Sequence, residues 1–179
     1  MLDFYLTKKG EGLLLSKLEF DKLRIDLWVS GTADKEGNGG YCVLLYCNML
    51  GRPYIKTLGG YGSDTTVTRM TLKAVIAGLR AIKQKAFIHI YTQIPQVSAG
   101  LNKHIYEWAK NNWKRKDGEE LQHADLWQEI YDLLQQKSLH YKVHYQKESP
   151  NPDYNLVVIH RSSEYAMRAK KTLKEVVLP

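Results

Sequence analysis

Residues 65–84, TTVTRMTLKAVIAGLRAIKQ, constrain the fold more than any other stretch. Apolar side chains fall at Val67, Met70, Leu72, Val75, Ile76, Leu79 and Ile82, and charge is confined to Arg69, Lys73, Arg80 and Lys83. Spacings of three and four predict a helix with a wide apolar arc. Ala74, Ala77 and Gly78 let this helix lie close to a neighbour, and Thr65 or Thr66 is placed to cap its start. An arc this wide needs cover on two sides, from a sheet and a second helix. The flanks supply the sheet: strand-like runs at 41–49 and 54–58 precede the helix, and 86–92 follows it. A strand–helix–strand passage implies a parallel crossover. The stretch reads as the central helix of an α/β domain.

The remaining elements fall in order around it. Residues 23–29 (LRIDLWV) alternate and give a first core strand. A glycine-rich loop at 31–40, a strand at 41–49 and a Gly51-Arg52-Pro53 turn lead to a third strand ending at Gly59-Gly60. After the fourth strand, Pro95 opens a short helix running to Asn102. A second short helix, 105–113, carries Trp108 and Trp113, and a polar turn follows at 114–118. Residues 124–136 form an amphipathic helix and 139–146 a half-exposed strand. Residues 148–154 read as a Pro/Asn loop, and 162–177 as a terminal helix rich in Lys and Arg. The expected architecture is a five-stranded mixed sheet, three antiparallel strands and then two parallel ones, flanked by helices. It occupies 23–179, with 1–22 as an N-terminal appendage.

Composition removes several function classes. No apolar run approaches the ~18 residues of a membrane span, and the N-terminus lacks the basic-then-apolar order of a signal peptide. A cytoplasmic protein with no membrane partner is expected. Cys42 and Cys47 are oddly spaced on one strand, point to opposite faces, and read as separate buried thiols. The six histidines place no H-x-x-x-H on a helix beside a carboxylate, so they read as structural rather than zinc-binding. Ser30 lacks the flanks of a nucleophile elbow, and no Lys-Ser/Thr follows the glycines at 37–40. The formal charge of +7 fits a polyanionic partner.

Several motifs now align with one known family. Gly39-Gly40-Tyr41 after a glycine loop resembles the GGYG segment of ribonuclease HI. Thr68-Arg69-Met70 with Leu72 and Ala74 resembles its N-R-M-E-L-x-A helix start. Ile90-Tyr91-Thr92 resembles the strand ending in Y-T-D-S. Trp108, Trp113 and 124–128 (ADLWQ) resemble its W…W…D-L-W-Q run. The resemblance spans roughly 23–175 and implies the RNase H-like fold.

The family cleaves the RNA of RNA–DNA hybrids with two divalent metals held by four carboxylates. Here the matching positions are Ser30, Thr71, Gln93 and, in the last helix, Ser163. All are neutral, and the family's mobile histidine loop is replaced by 147–152, which has no histidine. Two close dications need several anionic oxygens, so the resemblance implies that Mg²⁺ binding at the usual site is lost and no other cofactor is expected. Relocated ligands are the remaining route to a divergent nuclease. Asp26 shares a strand face with Ser30, but four residues apart is about 13 Å at ~3.3 Å per residue. Asp34, Asp64, Glu148 and Glu164 sit in or beside loops near the cleft.

Two readings of different class follow. In the first, the domain is a catalytically inactive binder of RNA/DNA hybrid, double-stranded RNA or DNA. The family's handle, the helix and basic turn after the fourth strand, corresponds to 103–116, with Lys103, Trp108, Lys110, Trp113, Lys114, Arg115 and Lys116. Cations suit phosphates, and flat rings suit sugars and bases, although the tryptophans also suit plain core packing. Thr66 matches a family Thr beside a DNA-strand phosphate, and Thr68 replaces a hybrid-sensing Asn. In the second reading, the domain is a protein scaffold resembling the connection domain of reverse transcriptases, docking through 1–22 or the C-terminal helix.

Overall fold

The computed structural model describes residues 23–145 and 150–177, with the side chains of the last helix as far as Thr172. The 1–22 appendage and Lys147, Glu148 and Ser149 lie outside the described residues. Five strands form one sheet in the order β3-β2-β1-β4-β5. They are β1 (Arg24–Ala33), β2 (Gly39–Met49), β3 (Arg52–Gly62), β4 (Phe87–Thr92) and β5 (His140–Tyr145). β1, β2 and β3 pair antiparallel, and β4 runs parallel to both β1 and β5. The expected mixed sheet is therefore the observed one.

The central helix, α1 (Val67–Ala81), lies across β1 and β2. Thr66 is its N-cap, accepting the Arg69 amide proton at 3.2 Å. Its apolar arc meets Leu27, Val29 and Val43 of the sheet on one side and α4 (Ala124–Gln136) on the other. Leu27, Leu72, Leu79, Ile88, Ile90 and Ile130 are fully buried here, each contributing about 1.5–3 kcal/mol of transfer free energy. Gly78 admits the close approach, because a side chain there would press on Leu27 and Val43. The other end of α1 is closed from outside. The Lys137 ammonium, just past α4, donates to the carbonyls of Leu79 (2.6 Å), Arg80 (3.0 Å) and Ile82 (2.6 Å). The ammonium thus caps the carbonyls at the helix end, of which that of Leu79 also accepts the Ile82 amide at 3.3 Å.

Three expectations need correcting. The helices expected at 95–102 and 105–113 form one continuous run: α2 (Pro95–Ala99), a π turn (Gly100–His104) and α3 (Ile105–Lys110). Gly100 is required because a Cβ there would enter the ring of Trp127. β1 continues to Ala33, since Gly31, Thr32 and Ala33 still pair with Tyr41, Gly40 and Gly39. The last helix, α5 (Pro152–Val177), starts ten residues before the expected 162. Asn151 caps it by accepting the Asp153 amide proton at 3.1 Å, and Pro152 costs nothing in a first turn whose N–H groups have no helical partner.

α5 covers the opposite face of the sheet over β1, β2 and β3. A second apolar cluster forms there from Trp28, Cys42, Leu44, Tyr91 and Val158. Cys47 belongs to the first cluster, so the two free thiols do face opposite ways. Burial pushes the Cys42 thiol up to about 11. Gly40 lets α5 press on β2, since a Cβ there would strike the backbone at Ser162 and Ala166. Among the described residues no helix is long and apolar enough to cross a membrane.

Candidate functional site

The parallel strands bring the first candidates together. Pairing of β1 with β4 runs to Trp28 opposite Tyr91, so Ser30 and Gln93 each follow two residues past that pair. Thr71 of α1 stands over the same point, close enough that a Cβ on Gly31 would collide with its backbone. It is fully buried, and its hydroxyl is spent on the Val67 carbonyl at 2.9 Å. α5 completes the group, but through Ser162 rather than Ser163. The Ser163 hydroxyl turns back to the Ile159 carbonyl at 3.0 Å. The Ser162 oxygen lies 3.0 Å from that of Ser30 and 2.9 Å from that of Thr32. One residue along a helix is a rotation of about 100°, which swings Ser162 onto the sheet.

Proton counting fixes this cluster. The single Ser162 hydroxyl hydrogen goes to the Ile159 carbonyl at 2.9 Å, which can only accept. Ser30 and Thr32 must then donate to Ser162. All three hydroxyls are satisfied by one another and by the Ile159 carbonyl, and none carries charge.

The start of α1 is tied to α4 by a two-pronged ion pair. Arg69 donates to both carboxylate oxygens of Asp125, at 3.0 and 2.5 Å. The guanidinium holds the Asp125 carboxyl below its ordinary range. The R-M and D-L-W-Q motifs are thus two halves of one joint. Thr66 is exposed at this helix start and Thr68 half-buried.

The handle candidates divide by role. Trp108 lies 5.1 Å from Trp127 and Trp113 5.6 Å from Tyr131, ring centre to ring centre, and both pack on the main core. The tryptophans position the handle. Beyond them a groove of about 770 Å³ is lined by His104, Trp108, Lys110, Lys114, Arg115 and Lys116, among others. Asn111 shapes the turn by donating to the carbonyls of Lys114 (3.0 Å) and Arg115 (2.9 Å). Lys103, Lys110, Lys114, Arg115 and Lys116 are all exposed. Their charge is partly offset: Arg115 meets Asp117 at 2.8 Å, and Lys116 lies 3.8 Å from Glu107. Residues 103–120 hold five cations against Glu107, Asp117, Glu119 and Glu120, a net of one positive charge.

Three of the carboxylates considered as relocated ligands are engaged elsewhere. Asp26 accepts from Arg24 at 2.9 Å. Asp34 accepts from the Asn38 side chain and from the amides of Glu36 and Asn38, which lowers its pKa. Glu164 sits 3.6 Å from His160. Asp64 adopts a positive φ of 50° in the loop before α1, and Glu148 lies outside the described residues. Among the described residues, no three His, Cys, Asp or Glu side chains gather to hold a metal ion.

One arrangement escaped sequence reasoning. His89 Nδ1 and His144 Nε2 are 2.8 Å apart, with ring centres at 4.9 Å and planes 10° from parallel. That centre distance nearly equals the N···N distance plus two ring radii, so the rings lie side by side as one plate. Tyr91 stacks over His144 at 4.6 Å. Burial, then Arg24, lowers the His89 pKa. The shared face of β4 and β5 was the available signal, but it depends on a register that only the folded sheet displays.

The comparisons agree with this geometry. The RNase H family profile matches residues 26–147. A Ribonuclease H of Caldicellulosiruptor saccharolyticus is 36% identical over 110 residues, covering 60% of this chain and 73% of the relative. A Ribonuclease H of Rickettsia akari is 30% identical over 145 residues, covering 81% and 89%. Among solved structures, LC9-RNase H1, a type 1 RNase H with the type 2 active-site motif, superposes with a TM-score of 0.68. It is 21% identical, with 83% of this chain and 74% of that one covered. The foamy viral protease-reverse transcriptase in complex with an RNA/DNA hybrid gives a TM-score of 0.64 at 13% identity, covering 90% of this chain and 22% of that one. With its sheet order, its paired R-M and D-L-W-Q motifs and these relatives, the chain belongs to the RNase H family.

Proposed function

We propose that this RNase H domain binds RNA/DNA hybrid, or a duplex of related shape, without cleaving it. The observation that carries the reading is the closed set of hydroxyls at Ser30, Thr32 and Ser162, with Thr71 and Gln93 beside it. Two close dications require anionic oxygens to offset their charge. The side chains here are neutral, the Ser30 and Thr32 hydroxyls are spent on Ser162, and the Ser162 and Thr71 hydroxyls on helix carbonyls. This donor set does not fit a metal pair, and no hydrolytic step through metals is available to it. The binding half of the reading is supported by the handle: the Arg69–Asp125 joint and the Trp108–Trp127 contact hold an exposed basic turn beside a groove.

The test is a binding titration against hybrid, double-stranded and single-stranded probes at several salt concentrations, with the Lys114/Arg115/Lys116 triple Ala variant beside the parent. Each of the three cations that neutralises a phosphate should account for up to ~1 in the slope of log K against log salt, and the variant should lack that share. Surface charges contribute little to stability, so the variant should melt like the parent. A parent that binds no probe at low salt removes the binding reading in favour of a protein scaffold. Metal-dependent cleavage by the parent, abolished in Asp34→Asn or Glu164→Gln, removes the inactive reading.

A further inference from the structure

A second groove, of about 400 Å³, runs between α1 and β3, away from the handle. Its floor is Leu58, Ala77 and Ala81, and its walls carry Lys56, Arg80 and Lys83. No carboxylate lines it. Arg80 is shared with Glu129 at 2.6 Å, while Lys56 and Lys83 have no acidic partner among the described residues. Lys73 extends the row towards the start of α1, its Nζ 4.0 Å from where a Cβ on Gly62 would stand. The groove is thus more one-sided in charge than the basic turn, whose cations are nearly balanced by carboxylates.

The spacing matters as much as the charge. Thr66, Lys73 and Arg80 are seven residues apart, so they fall on nearly one line of the helix, about 10.5 Å between neighbours and ~21 Å overall. Two cations, Lys73 and Arg80, therefore follow the threonine that caps α1 along one side of the helix.

We propose that the α1–β3 groove is a second nucleic-acid track, carrying the sugar–phosphate strand onward from the start of α1. The proposal rests on the nucleic-acid reading above and deepens it. The cations take phosphates, and the floor of Leu58, Ala77 and Ala81 packs against sugar faces. Contacts of this kind read backbone rather than sequence, so they lengthen the footprint without adding base preference.

The test is a length series of hybrids, from about 8 to about 20 base pairs, measured for the parent and a Lys56/Lys73/Lys83 triple Ala variant. Arg80 is left in place because it also holds Glu129. For the parent, affinity should rise with length beyond what extra registers on the probe supply. In the variant that rise should vanish, with a loss of 10-fold or more on long probes, a salt slope lower by up to ~3, and little change on the shortest probe. Lys83→Glu, at an exposed position outside the helix, should show the same pattern if the triple variant proves unstable. If the parent gains with length and both variants match it, the track is wrong and the handle reading stands. If the parent binds no probe, both fall. If a polyglutamate peptide competes with a long hybrid only when Lys56, Lys73 and Lys83 are present, and the hybrid itself is indifferent to them, the groove is a site for an acidic protein segment.

Discussion

Lys137 offers the sharpest test of how the central helix is held. Its ammonium donates to three carbonyls at the end of α1, at 2.6, 3.0 and 2.6 Å. Replacing it with Met keeps most of the aliphatic stem and removes every donor. A hydrogen bond from a charged group contributes about 1.5–3 kcal/mol, and an ordinary one about 0.5–1.5. Lys137 is only half-buried, so water can reach some of the freed carbonyls, and the sum falls short of three full bonds. The positive charge also complements the negative end of the helix, worth about 0.3–1 kcal/mol. The expected destabilisation is roughly 2–4 kcal/mol. At about 2–4 °C per kcal/mol for a chain of this size, Tm should drop by about 4–16 °C. The assay is thermal melting beside urea unfolding, where the midpoint should move and the slope should not. Lys137→Arg should recover little, because a planar fork cannot converge three donors on one point as an ammonium does. A Met variant within a degree of the parent, or an Arg variant equal to it, would refute this account.

Three other perturbations probe the packing, the histidines and the neutral site. Gly40→Ala should cost several kcal/mol by driving α5 off β2, since the new methyl meets backbone rather than a movable side chain. Urea unfolding measures it, beside a Gly118→Ala control where the methyl enters open space and only the positive φ of 86° is penalised, by about 1–2 kcal/mol. His89 and His123 both have pKa values lowered chiefly by burial. Between these lowered values and the ordinary value near 6.5 the unfolded chain binds more protons than the folded one. Stability should therefore fall as pH drops from about 6.5, and a His89→Gln/His123→Gln variant should flatten that decline in melts between about pH 5 and 8. Millimolar Mg²⁺ or Mn²⁺ should leave Tm unchanged; a rise of several degrees would report a real metal site.

The parts of the fold that sequence conveys are those set by repetition. The arc from Val67 to Ile82 repeats often enough to specify both a helix and its two covered sides. The turns at Gly51 and the glycine loop fix the meander before any long-range contact is known. Single displacements are harder. Pro152 and Asp153 read as loop because both residues favour turns, yet both are also good first-turn residues once Asn151 supplies a cap. At the candidate site, Ser30, Thr71 and Gln93 are found by motif; the β1–β4 register aligns Ser30 with Gln93, and the packing of α1 on Gly31 adds Thr71. Ser163 in place of Ser162 is an error of one helical step, which no local pattern reveals when two serines adjoin. The His89–His144 plate requires the pairing of β4 with β5, a relation between residues 55 positions apart.

The π turn at Gly100–His104 gives the handle an unusual kind of setting. Such a turn takes up one residue more than regular helical winding, and each residue carries everything beyond it through about 100°. The direction in which Trp108, Lys110 and the turn at 114–116 project is therefore counted in whole residues. Exchanging one side chain for another in this segment can weaken the handle but cannot turn it. Removing a single residue would turn it through more than a quarter of a circle and take Trp108 off Trp127. Changes of aim in this part of the surface come in steps, by gain or loss of a codon, with no intermediate between them.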